Sequence, residues 1–319
     1  MKRKTVLITG GLGFIGSNLY KKFLNNGYDV IIIDNLANNV ILPTSLPNES
    51  VYFVEKDIRD VKAYELPKID LIIHLASPIG TVSILKNAGF IAKEILDATY
   101  SVLDLAIAKN ARLVFASTCE IYGDIENKGS KINEDYYSVY ESKHKVREEY
   151  SIAKKLSESI IKSFSKKYKE FSFAIFRPFN IVGVNQKMEG GHVLPRFVHQ
   201  SKNSYPITVY GDGKQKRSFT AVEDASEAIF LISESKLNDT WNIGNLKNQI
   251  SIIGLALKIK DISKTSSEIE FVNPKEIHGD MFEDVVEKVP DASKLLKDFG
   301  WKPTKNVDDI ILDLFNETE

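Results

Sequence analysis

Short apolar runs rich in β-branched residues alternate with helix-period segments along the first half of the chain. The apolar runs cover residues 5–9, 30–33, 51–54, 71–75, 112–116 and 173–176, and the helix-period segments cover 14–25, 91–109 and 150–168. Continuous apolar runs of this length are typical of strands buried on both faces of a parallel sheet. The alternation therefore predicts right-handed βαβ units and an α/β fold with a doubly wound parallel sheet.

The pattern changes after residue 178, where connections rich in Gly, Pro and Asn join shorter elements. The 319 residues also correspond to about two domains of ~150 residues each. We therefore predict a first domain at residues 1–178 and a smaller C-terminal α/β domain at 179–319. Residues 219–233 have the pattern of a loop and a buried helix, which predicts that the chain returns once to the first domain.

Charge and cysteine content exclude several classes of partner. The 42 Lys and Arg against 43 Asp and Glu give a net charge of −1, whereas nucleic-acid-binding domains usually carry a basic excess. No apolar run approaches the ~20 residues of a membrane span, and the apolar run at residues 6–8 is too short for a signal peptide. Cys119 is the only cysteine, which excludes an intrachain disulfide. We expect a cytoplasmic protein with neither a nucleic-acid nor a membrane partner.

The histidines give no indication of a metal site. His74 ends a predicted buried strand and is interpreted as structural. The other four lack the spacing of metal ligands, and they are His144, His192, His199 and His278. We therefore expect no metal.

A glycine-rich turn follows the first predicted strand and opens the first predicted helix. Gly10, Gly13 and Gly16 fit G-x-x-G-x-x-G, and Gly11 with the last two fits G-x-G-x-x-G. Glycines here allow the backbone to approach a pyrophosphate closely, and the helix start offers its N–H groups and dipole to the anion. The turn is predicted to hold a dinucleotide, although an ordinary glycine-rich turn would match the same pattern.

Asp34 indicates which dinucleotide is bound. It ends the second predicted strand 18 residues after Gly16, close to the ~20 expected for an acid that accepts hydrogen bonds from the adenosine ribose. A carboxylate would repel a 2′-phosphate, and neither Asn35 nor Leu36 is an arginine that could bind one. The sequence therefore favours NAD(H) over NADP(H), and residues 1–178 are predicted to be the NAD-binding domain.

Motifs over nearly the whole length resemble one enzyme family. They are TGGLGFIG at 9–16, Asp34, KDIRD at 56–60, HLAS at 74–77, STCEIYG at 117–123, YSIAK at 150–154, RPFN at 177–180, VYGDGKQKRSF at 209–219, NIG at 242–244 and LLKDFGWKP at 295–303. In this order they resemble the extended short-chain dehydrogenases/reductases that act on nucleotide sugars: 4-epimerases, 4,6-dehydratases and decarboxylases. The resemblance implies a Rossmann-like fold, a nucleotide-sugar-binding C-terminal domain, and hydride removal from sugar C4 to NAD+.

The Y-x-x-x-K element locates the catalytic pair. It occurs four times, but only Tyr150 and Lys154 lie in a predicted helix, where positions i and i+4 share a face. An ammonium beside the phenol is expected to lower the pKa of Tyr150 from ~10 toward neutrality, as a general base requires. The resemblance adds Thr118, whose hydroxyl would bind the reacting sugar hydroxyl, and has Lys154 also hold the nicotinamide ribose.

The resemblance also implies which residues line the two ligands. For NAD these are Gly10, Gly13, Phe14, Ile15, Gly16, Asp34, Asn35, Asp57, Ile58, Leu75, Ala76, Ser77, Tyr150 and Lys154. For the nucleotide-diphosphate sugar they are Thr118, Asn180, Val193, Leu194, Arg217 and Lys288, with Arg217 and Asn180 on the diphosphate. Val193 and Leu194 would equally suit a protein core.

Departures from the family motifs bear on the reaction that follows C4 oxidation. Glu120 resembles a second acid or base of decarboxylases and dehydratases, but Cys119 stands where dTDP-glucose dehydratases have aspartate. Lys288 stands where UDP-glucuronate-type decarboxylases have an arginine, and lysine cannot form a bidentate fork. These departures favour a 4-epimerase or 4-dehydrogenase of surface-polysaccharide sugar biosynthesis. The alternatives are a 4,6-dehydratase or decarboxylase that uses Glu120 and, from another class, a catalytically silent NAD(H)-binding scaffold or sensor.

Two predicted helices have wide apolar faces, at residues 91–109 and 150–163. The resemblance implies that they pair across a two-fold axis in a four-helix homodimer interface. They would otherwise fill the core of a single chain.

Overall fold

The computed structural model describes residues 3–47, 49–123, 130–140, 145–188, 191–279 and 287–317. Its strands are β1 Thr5–Thr9, β2 Asp29–Asp34, β3 Val51–Glu55, β4 Leu71–His74, β5 Arg112–Ala116, β6 Lys131–Ile132, β7 Phe173–Pro178, β8 Ile181–Val182, β9 Ile207–Tyr210, β10 Lys216–Ser218, β11 Thr220–Ala221, β12 Thr240–Ile243, β13 Gln249–Ser251, β14 Ile269–Val272 and β15 Val289–Pro290. Its helices are α1 Phe14–Asn25, α2 Thr81–Lys86, α3 Ile91–Lys109, α4 Val146–Lys167, α5 Val193–Lys202, α6 Val222–Glu234, α7 Ile252–Ser263, α8 Pro274–His278, α9 Ser293–Phe299 and α10 Val307–Asn316.

The main sheet has seven parallel strands in the order β12-β7-β5-β4-β1-β2-β3. The order reverses at β1, which pairs with β2 on one side and with β4 on the other. In sheets of this kind, ligands bind outside the carboxyl ends of the strands at such a reversal. The predicted doubly wound, Rossmann-like fold is confirmed, and its reversal point marks where a ligand site belongs.

Both faces of the sheet are covered, as the continuous apolar runs predict. Within β1, Val6 and Ile8 are fully buried in the core that contains Leu19 and Phe23 of α1. Leu7 points to the opposite face, into the core shared with α3 and α4. Because successive side chains of a strand point to opposite faces, a strand that is apolar at every position requires helices on both sides.

Helix α4 begins one turn earlier than the apolar pattern predicts. The pattern begins at Tyr150, whereas the helix begins at Val146 and carries Glu148 and Glu149 in its first turn. Acidic residues at a helix start are stabilised by the helix dipole, but they add no apolar periodicity from which the turn could be predicted. Arg147, which lies in this first turn, was therefore not predicted to be in a helix.

The chain returns to the main sheet after residue 219. Helix α6 packs against α1, and β12 joins the outer edge of the sheet beside β7. The remaining C-terminal elements surround a separate core, which contains Leu194 and Phe197 of α5, Leu255 of α7 and Leu314 of α10. The division of the chain at residue 178 stays a prediction. Residues 222–243 pack with the elements of the predicted first domain.

Candidate active site

The glycine-rich turn lies at the carboxyl end of β1, at the reversal of strand order. Gly10 has φ +67°, and a Cβ there would lie 2.9 Å from the backbone nitrogen of Ala76. A Cβ at Gly16 would lie 2.4 Å from the carbonyl oxygen of Gly10. Side chains at these two positions would collide with backbone atoms, so the turn can close against the next strand only with glycine.

The turn and Asp34 together form a cradle that fits a dinucleotide. Gly13 is the N-cap of α1 and supplies no side-chain cap, so the first N–H groups of the helix are available to an anion. The Asp34 carboxylate accepts hydrogen bonds from the backbone N–H of Leu12 at 3.0 Å and of Leu36 at 2.9 Å. These bonds hold Asp34, which would face the adenosine ribose, against the loop that would face the pyrophosphate.

The residues predicted for the adenine side lie beside this cradle. Asn35 donates to the Asp57 carboxylate at 3.2 Å, and Arg59 forms a bidentate pair with the same group at 2.8 Å. The hydrogen bond from Arg59 lowers the pKa of Asp57 to about 2. Asp57 is thus an acceptor at neutral pH, while Ile58 next to it is buried.

The segment after β4 lines the other side of the glycine turn. Leu75 N–H donates to the Thr9 carbonyl at 3.1 Å, and Ala76 N–H donates to the Thr9 hydroxyl at 3.2 Å. His74 Nδ1 lies 2.8 Å from the same hydroxyl, and burial lowers the pKa of His74 to about 3. His74 is therefore neutral and structural at physiological pH. Ser77, the last predicted residue of this segment, is half-buried.

Two kinds of site are absent from the described ranges. No group of three or more His, Cys, Asp and Glu side chains there could hold a metal ion. No helix in those ranges is long and apolar enough to span a membrane. His144 lies outside the described residues, as does the side chain of His278.

Thr118, Tyr150 and Lys154 meet at the carboxyl end of β5, and all three are buried. The Lys154 ammonium donates to the Ala116 carbonyl at 2.9 Å, and burial lowers the pKa of Lys154 to about 7. The Thr118 hydroxyl hydrogen-bonds to the Tyr150 phenol, and this bond favours the phenolate. Two side chains from α4 and one from the end of the sheet thus face one point.

The expected direction of the Tyr150 shift is wrong in this structure. Burial raises the pKa of Tyr150, and the negative charge of Glu120 raises it further. The i, i+4 spacing does place Lys154 on the same helix face, but its ammonium is bonded to the Ala116 carbonyl. Desolvation of the phenol therefore outweighs the stabilisation expected from a neighbouring ammonium.

Glu120 lies beside this set and faces two cations. Its Oε2 is 3.5 Å from the ammonium of Lys288 and 3.7 Å from the guanidinium of Arg147. Burial alone would raise the pKa of Glu120, but Lys288 and Arg147 together lower it. The two cations thus keep the Glu120 carboxylate ionised. The ammonium of Lys288 beside it is buried, with the side chain only 4% exposed.

Cys119 is a small packing residue rather than an acid. Its thiol is buried 4.0 Å from Glu120, and burial raises the pKa of Cys119 to about 12. At neutral pH the thiol is protonated. It can donate only weakly to Glu120 and is a poor replacement for an aspartic acid.

Arg147 is the site residue that the sequence analysis missed. It lies three residues before Tyr150, so the two side chains lie on one face of α4. The spacing would have indicated this if the start of the helix had been placed correctly. Its charge lowers the pKa of Glu120 and also that of Tyr150.

Two of the predicted diphosphate residues lie close together. Asn180 is in a left-handed conformation, with φ +40°, and its amide donates to the carbonyl of Ser218 at 3.4 Å. Arg217 directly precedes Ser218 on β10, and its charge helps to lower the pKa of Glu120. Asn180 therefore lies against β10, the strand that carries Arg217.

The residues predicted for the base of the nucleotide belong largely to the second core. Leu194 is fully buried among the apolar side chains of α5, α7 and α10. Val193, one position earlier, packs against that core and is partly buried. Leu194 is therefore a core residue, one of the two alternatives that the sequence left open. Val193 still has exposed surface that could contact a ligand.

The reversal point with its glycine cradle and the Thr-Tyr-Lys set beside it define a class, the NAD-dependent enzymes of the extended short-chain dehydrogenase/reductase type. Residues 6–244 match the NAD dependent epimerase/dehydratase family. The chain belongs to this family. The predictions of the family, of an NAD-dependent enzyme and of NAD as its cofactor are thereby confirmed.

Relatives from several organisms extend over almost the whole chain. The chain is 32% identical over 303 residues to a UDP-N-acetyl-alpha-D-glucosaminuronate decarboxylase of Bacillus cytotoxicus, covering 92% of this chain and 91% of the relative. Its structure is similar to UDP-glucose 4-epimerase of Thermotoga maritima with UDP-glucose, at 25% identity, TM-score 0.84 and 97% coverage of each chain. It is also similar to UDP-glucuronic acid 4-epimerase of Bacillus cereus in complex with UDP-glucuronic acid and NAD, at 25% identity, TM-score 0.83 and 98% coverage of each chain.

We expect the protein to bind NAD+ on the order of 100-fold more tightly than NADP+. The buried Asp34 carboxylate would oppose a 2′-phosphate, and a like-charge contact costs several kcal/mol. Titration calorimetry with both dinucleotides measures the ratio. The control variant Asp34→Asn removes the charge and should narrow the ratio, whereas equal affinities in the wild type would contradict this role of Asp34.

Proposed function

We propose that this enzyme oxidises a nucleotide-linked uronic acid at C4 and then releases the sugar carboxylate as carbon dioxide. The observation that carries the proposal is the buried ammonium of Lys288, which lies 3.5 Å from Glu120, the carboxylate whose charge acts on Tyr150. With Arg147, two positive charges face a single carboxylate. A substrate carboxylate would balance the excess charge, because buried charge is unfavourable unless it is compensated.

The names of similar proteins support this substrate class. The Bacillus cytotoxicus relative is a decarboxylase of a UDP-linked uronic acid, and the Bacillus cereus epimerase was solved with UDP-glucuronic acid. Asn180 lies against β10, which carries Arg217, and both residue types suit the diphosphate of such a substrate. We therefore place the nucleotide toward β10 and the sugar toward Glu120.

The oxidation begins at the C4 hydroxyl of the sugar. Thr118 would hold this hydroxyl, and Tyr150 would take its proton as the C4 carbonyl forms. NAD+ supplies the acceptor for the hydride that leaves C4 and adds a positive charge that favours the phenolate. Lys154 is fixed by the Ala116 carbonyl, and its side chain would bind the nicotinamide ribose.

A ketone at C4 makes the C5 carboxylate a β-keto acid. Breaking the bond from C5 to the carboxyl carbon releases carbon dioxide and leaves the electron pair on C5, delocalised into the C4 carbonyl. Tyr150, which now carries the proton, can donate to the enolate oxygen. The ionised Glu120 disfavours a second carboxylate beside it, while Lys288 and Arg147 hold that carboxylate until it leaves. A proton from water added at C5 then completes a 4-keto pentose.

The product identifies the reaction. The purified enzyme with NAD+ is incubated with UDP-glucuronate, UDP-N-acetylglucosaminuronate, UDP-galacturonate and the corresponding neutral UDP-sugars, and NADH absorbance and product mass are followed. We expect a uronate to lose carbon dioxide and two hydrogens as NADH forms, and we expect no comparable turnover of neutral sugars. An unchanged mass with a changed C4 configuration, or a loss of water, would overturn the decarboxylase proposal.

A 4-epimerase is the second candidate, and the identity of Lys288 favours it. Decarboxylation requires the breaking bond to stand perpendicular to the plane of the C4 ketone, so the orientation of the carboxylate must be held. A lysine binds it as a point charge and leaves it free to turn, unlike the planar fork of an arginine. Arg147 supplies a guanidinium 3.7 Å from the same Glu120 oxygen, and for this reason we rank decarboxylation first.

Replacing Lys288 by methionine is expected to lower kcat/KM for the uronate on the order of 100-fold. The substitution removes one of the two cations while keeping the length of the side chain, and loss of one partner from a buried charge pair costs several kcal/mol. Lys288→Arg should retain most of the activity, and replacement of the exposed Lys216 in Lys216→Met should match the wild type. Unchanged kinetics in Lys288→Met would remove this residue from the substrate site.

We also propose a homodimer through α3 and α4. Both helices expose large apolar side chains, with Tyr100 48% exposed on α3, and Ile152 and Leu156 47% and 45% exposed on α4. Pairing two copies of this helix pair would cover them. Light scattering at micromolar concentration should give twice the mass of the chain, and the mass of one chain would contradict the proposal.

A further inference from the structure

A buried ion pair fastens the catalytic helix to the sheet. Arg177 on β7 donates from Nε and Nη2 to the two carboxylate oxygens of Glu158, at 2.9 and 2.7 Å. Neither side chain is more than 3% exposed. Glu158 lies four residues after Lys154, so the fork of Arg177 holds the part of α4 that carries both catalytic residues.

The guanidinium of Arg177 also begins a second chain of hydrogen bonds. Its Nη1 donates to the Tyr122 hydroxyl at 2.8 Å, and that hydroxyl donates to Asn242 Oδ1 at 2.8 Å. Tyr122 is fully buried and lies two residues after Glu120 in the 3-10 turn Cys119–Tyr122. The phenol oxygen therefore uses both its donor and its acceptor function inside the protein.

Asn242 carries the path to the segment that contains Lys288. Its amide donates to the carbonyl of Ile132 at 3.0 Å and to that of Asp291 at 3.3 Å. Ile132 belongs to β6, which pairs with β15, and Lys288 directly precedes β15. Because β15 is only two residues long, its own ladder is a weak constraint on the position of Lys288.

We propose that the Tyr122 hydroxyl is a positioning group. It sets the distance between Lys288 and Glu120 and the position of this pair relative to Tyr150. The hydroxyl links Arg177, which holds α4, to Asn242, which holds the segment of β15. Tyr122 also lies two residues after Glu120 in the same turn. Without the hydroxyl, Asn242 Oδ1 loses its donor in the turn, and Arg177 Nη1 loses its acceptor there. The Lys288 segment and the Glu120 turn can then move apart while the ring of residue 122 still fills the core.

The charge on Glu120 reports this separation. The groups that influence it come from every element around it: Lys288 before β15, Arg147 and Tyr150 on α4, Arg217 on β10, Tyr140, and Cys119 on its own turn. Lys288 contributes most strongly among the cations. If Lys288 moves away, Glu120 becomes easier to protonate, so the ionised carboxylate and the charge balance around Tyr150 are lost at a higher pH.

The test is the variant Tyr122→Phe, assayed with whichever UDP-sugar of the panel the wild type turns over best. We expect kcat to fall about 10- to 100-fold, as for small displacements of catalytic groups, with KM nearly unchanged because the nucleotide is held elsewhere. The acidic limb of the pH profile should move to higher pH. The assay follows C4 oxidation whichever product forms, so failure of the decarboxylase proposal would not imitate failure of this one.

Two further variants separate positioning from general stability. Tyr28→Phe removes another buried phenol that bonds to Lys4 and Glu234, far from the site, and should lower the melting temperature without moving the pH profile. Asn242→Ala breaks the path one residue further on and should reproduce the kinetics of Tyr122→Phe. A wild-type kcat and pH profile in folded Tyr122→Phe or Asn242→Ala would overturn the proposal.

Discussion

Replacement of Tyr150 by phenylalanine is expected to reduce turnover about 10³-fold, the usual scale for loss of a general base. The variant loses one hydroxyl, the group that we propose takes the proton from the C4 hydroxyl. The ring is buried and remains in place, so the packing of α4 should change little. Single-turnover measurement of NADH formation isolates the step that should be slowed.

Binding of NAD should survive in the same variant. The cradle that would hold the cofactor consists of the glycine turn, the start of α1 and Asp34, and its hydrogen bonds do not involve Tyr150. Calorimetry should therefore give a dissociation constant close to that of the wild type. The exposed Tyr64 provides a matched control, since Tyr64→Phe should have normal turnover. Turnover within tenfold of the wild type in Tyr150→Phe would rule out this residue as the base.

Replacement of Glu158 by glutamine is expected to lower the free energy of unfolding by about 3–5 kcal/mol, as when one partner is removed from a buried ion pair. The glutamine keeps the shape of the side chain but leaves the charge of Arg177 without its bidentate counter-ion. Urea denaturation measures the loss. Glu65→Gln removes an exposed pair with Lys56 and should leave the free energy of unfolding nearly unchanged, because such pairs are screened by solvent.

This pair also makes stability depend on pH. Burial alone would raise the pKa of Glu158, but the hydrogen bonds and charge of Arg177 lower it below the value of the unfolded chain. The stabilisation is therefore fully present above the unfolded pKa of about 4.3 and is lost as the pH falls toward the folded value. As the pH falls below about 4.3, the wild type should lose more stability than Glu158→Gln. Parallel pH profiles of the two proteins would contradict this account of the pair.

The fold and the cofactor cradle were predictable because their causes are local. Strands that are apolar at every position require helices on both faces, and an alternation of such strands with helices leaves few topologies. Gly10 and Gly16 are glycines because a Cβ would meet backbone atoms of neighbouring segments. Such a restriction shows in the sequence as a fixed spacing, so the nucleotide site could be found by pattern.

The charged part of the site could not be predicted in the same way. Glu120 and Lys288 are 168 residues apart, and they meet through two strands of two residues each, β6 and β15. Strands this short have no periodicity from which pairing could be predicted. Arg147 lies in a helical turn whose charged residues conceal its start, so its contact with Glu120 was also hidden.

By itself, the sequence determined the doubly wound sheet, the glycine cradle, the preference for NAD, and the helical spacing of Tyr150 and Lys154. Only the tertiary structure decided the electrostatics around them: it buried Tyr150 next to Glu120 and raised the pKa of the phenol, and it brought two cations to one carboxylate. The physical reason is range. Backbone sterics and helical periodicity act within a few residues, whereas desolvation and charge pairing depend on which distant segments pack together.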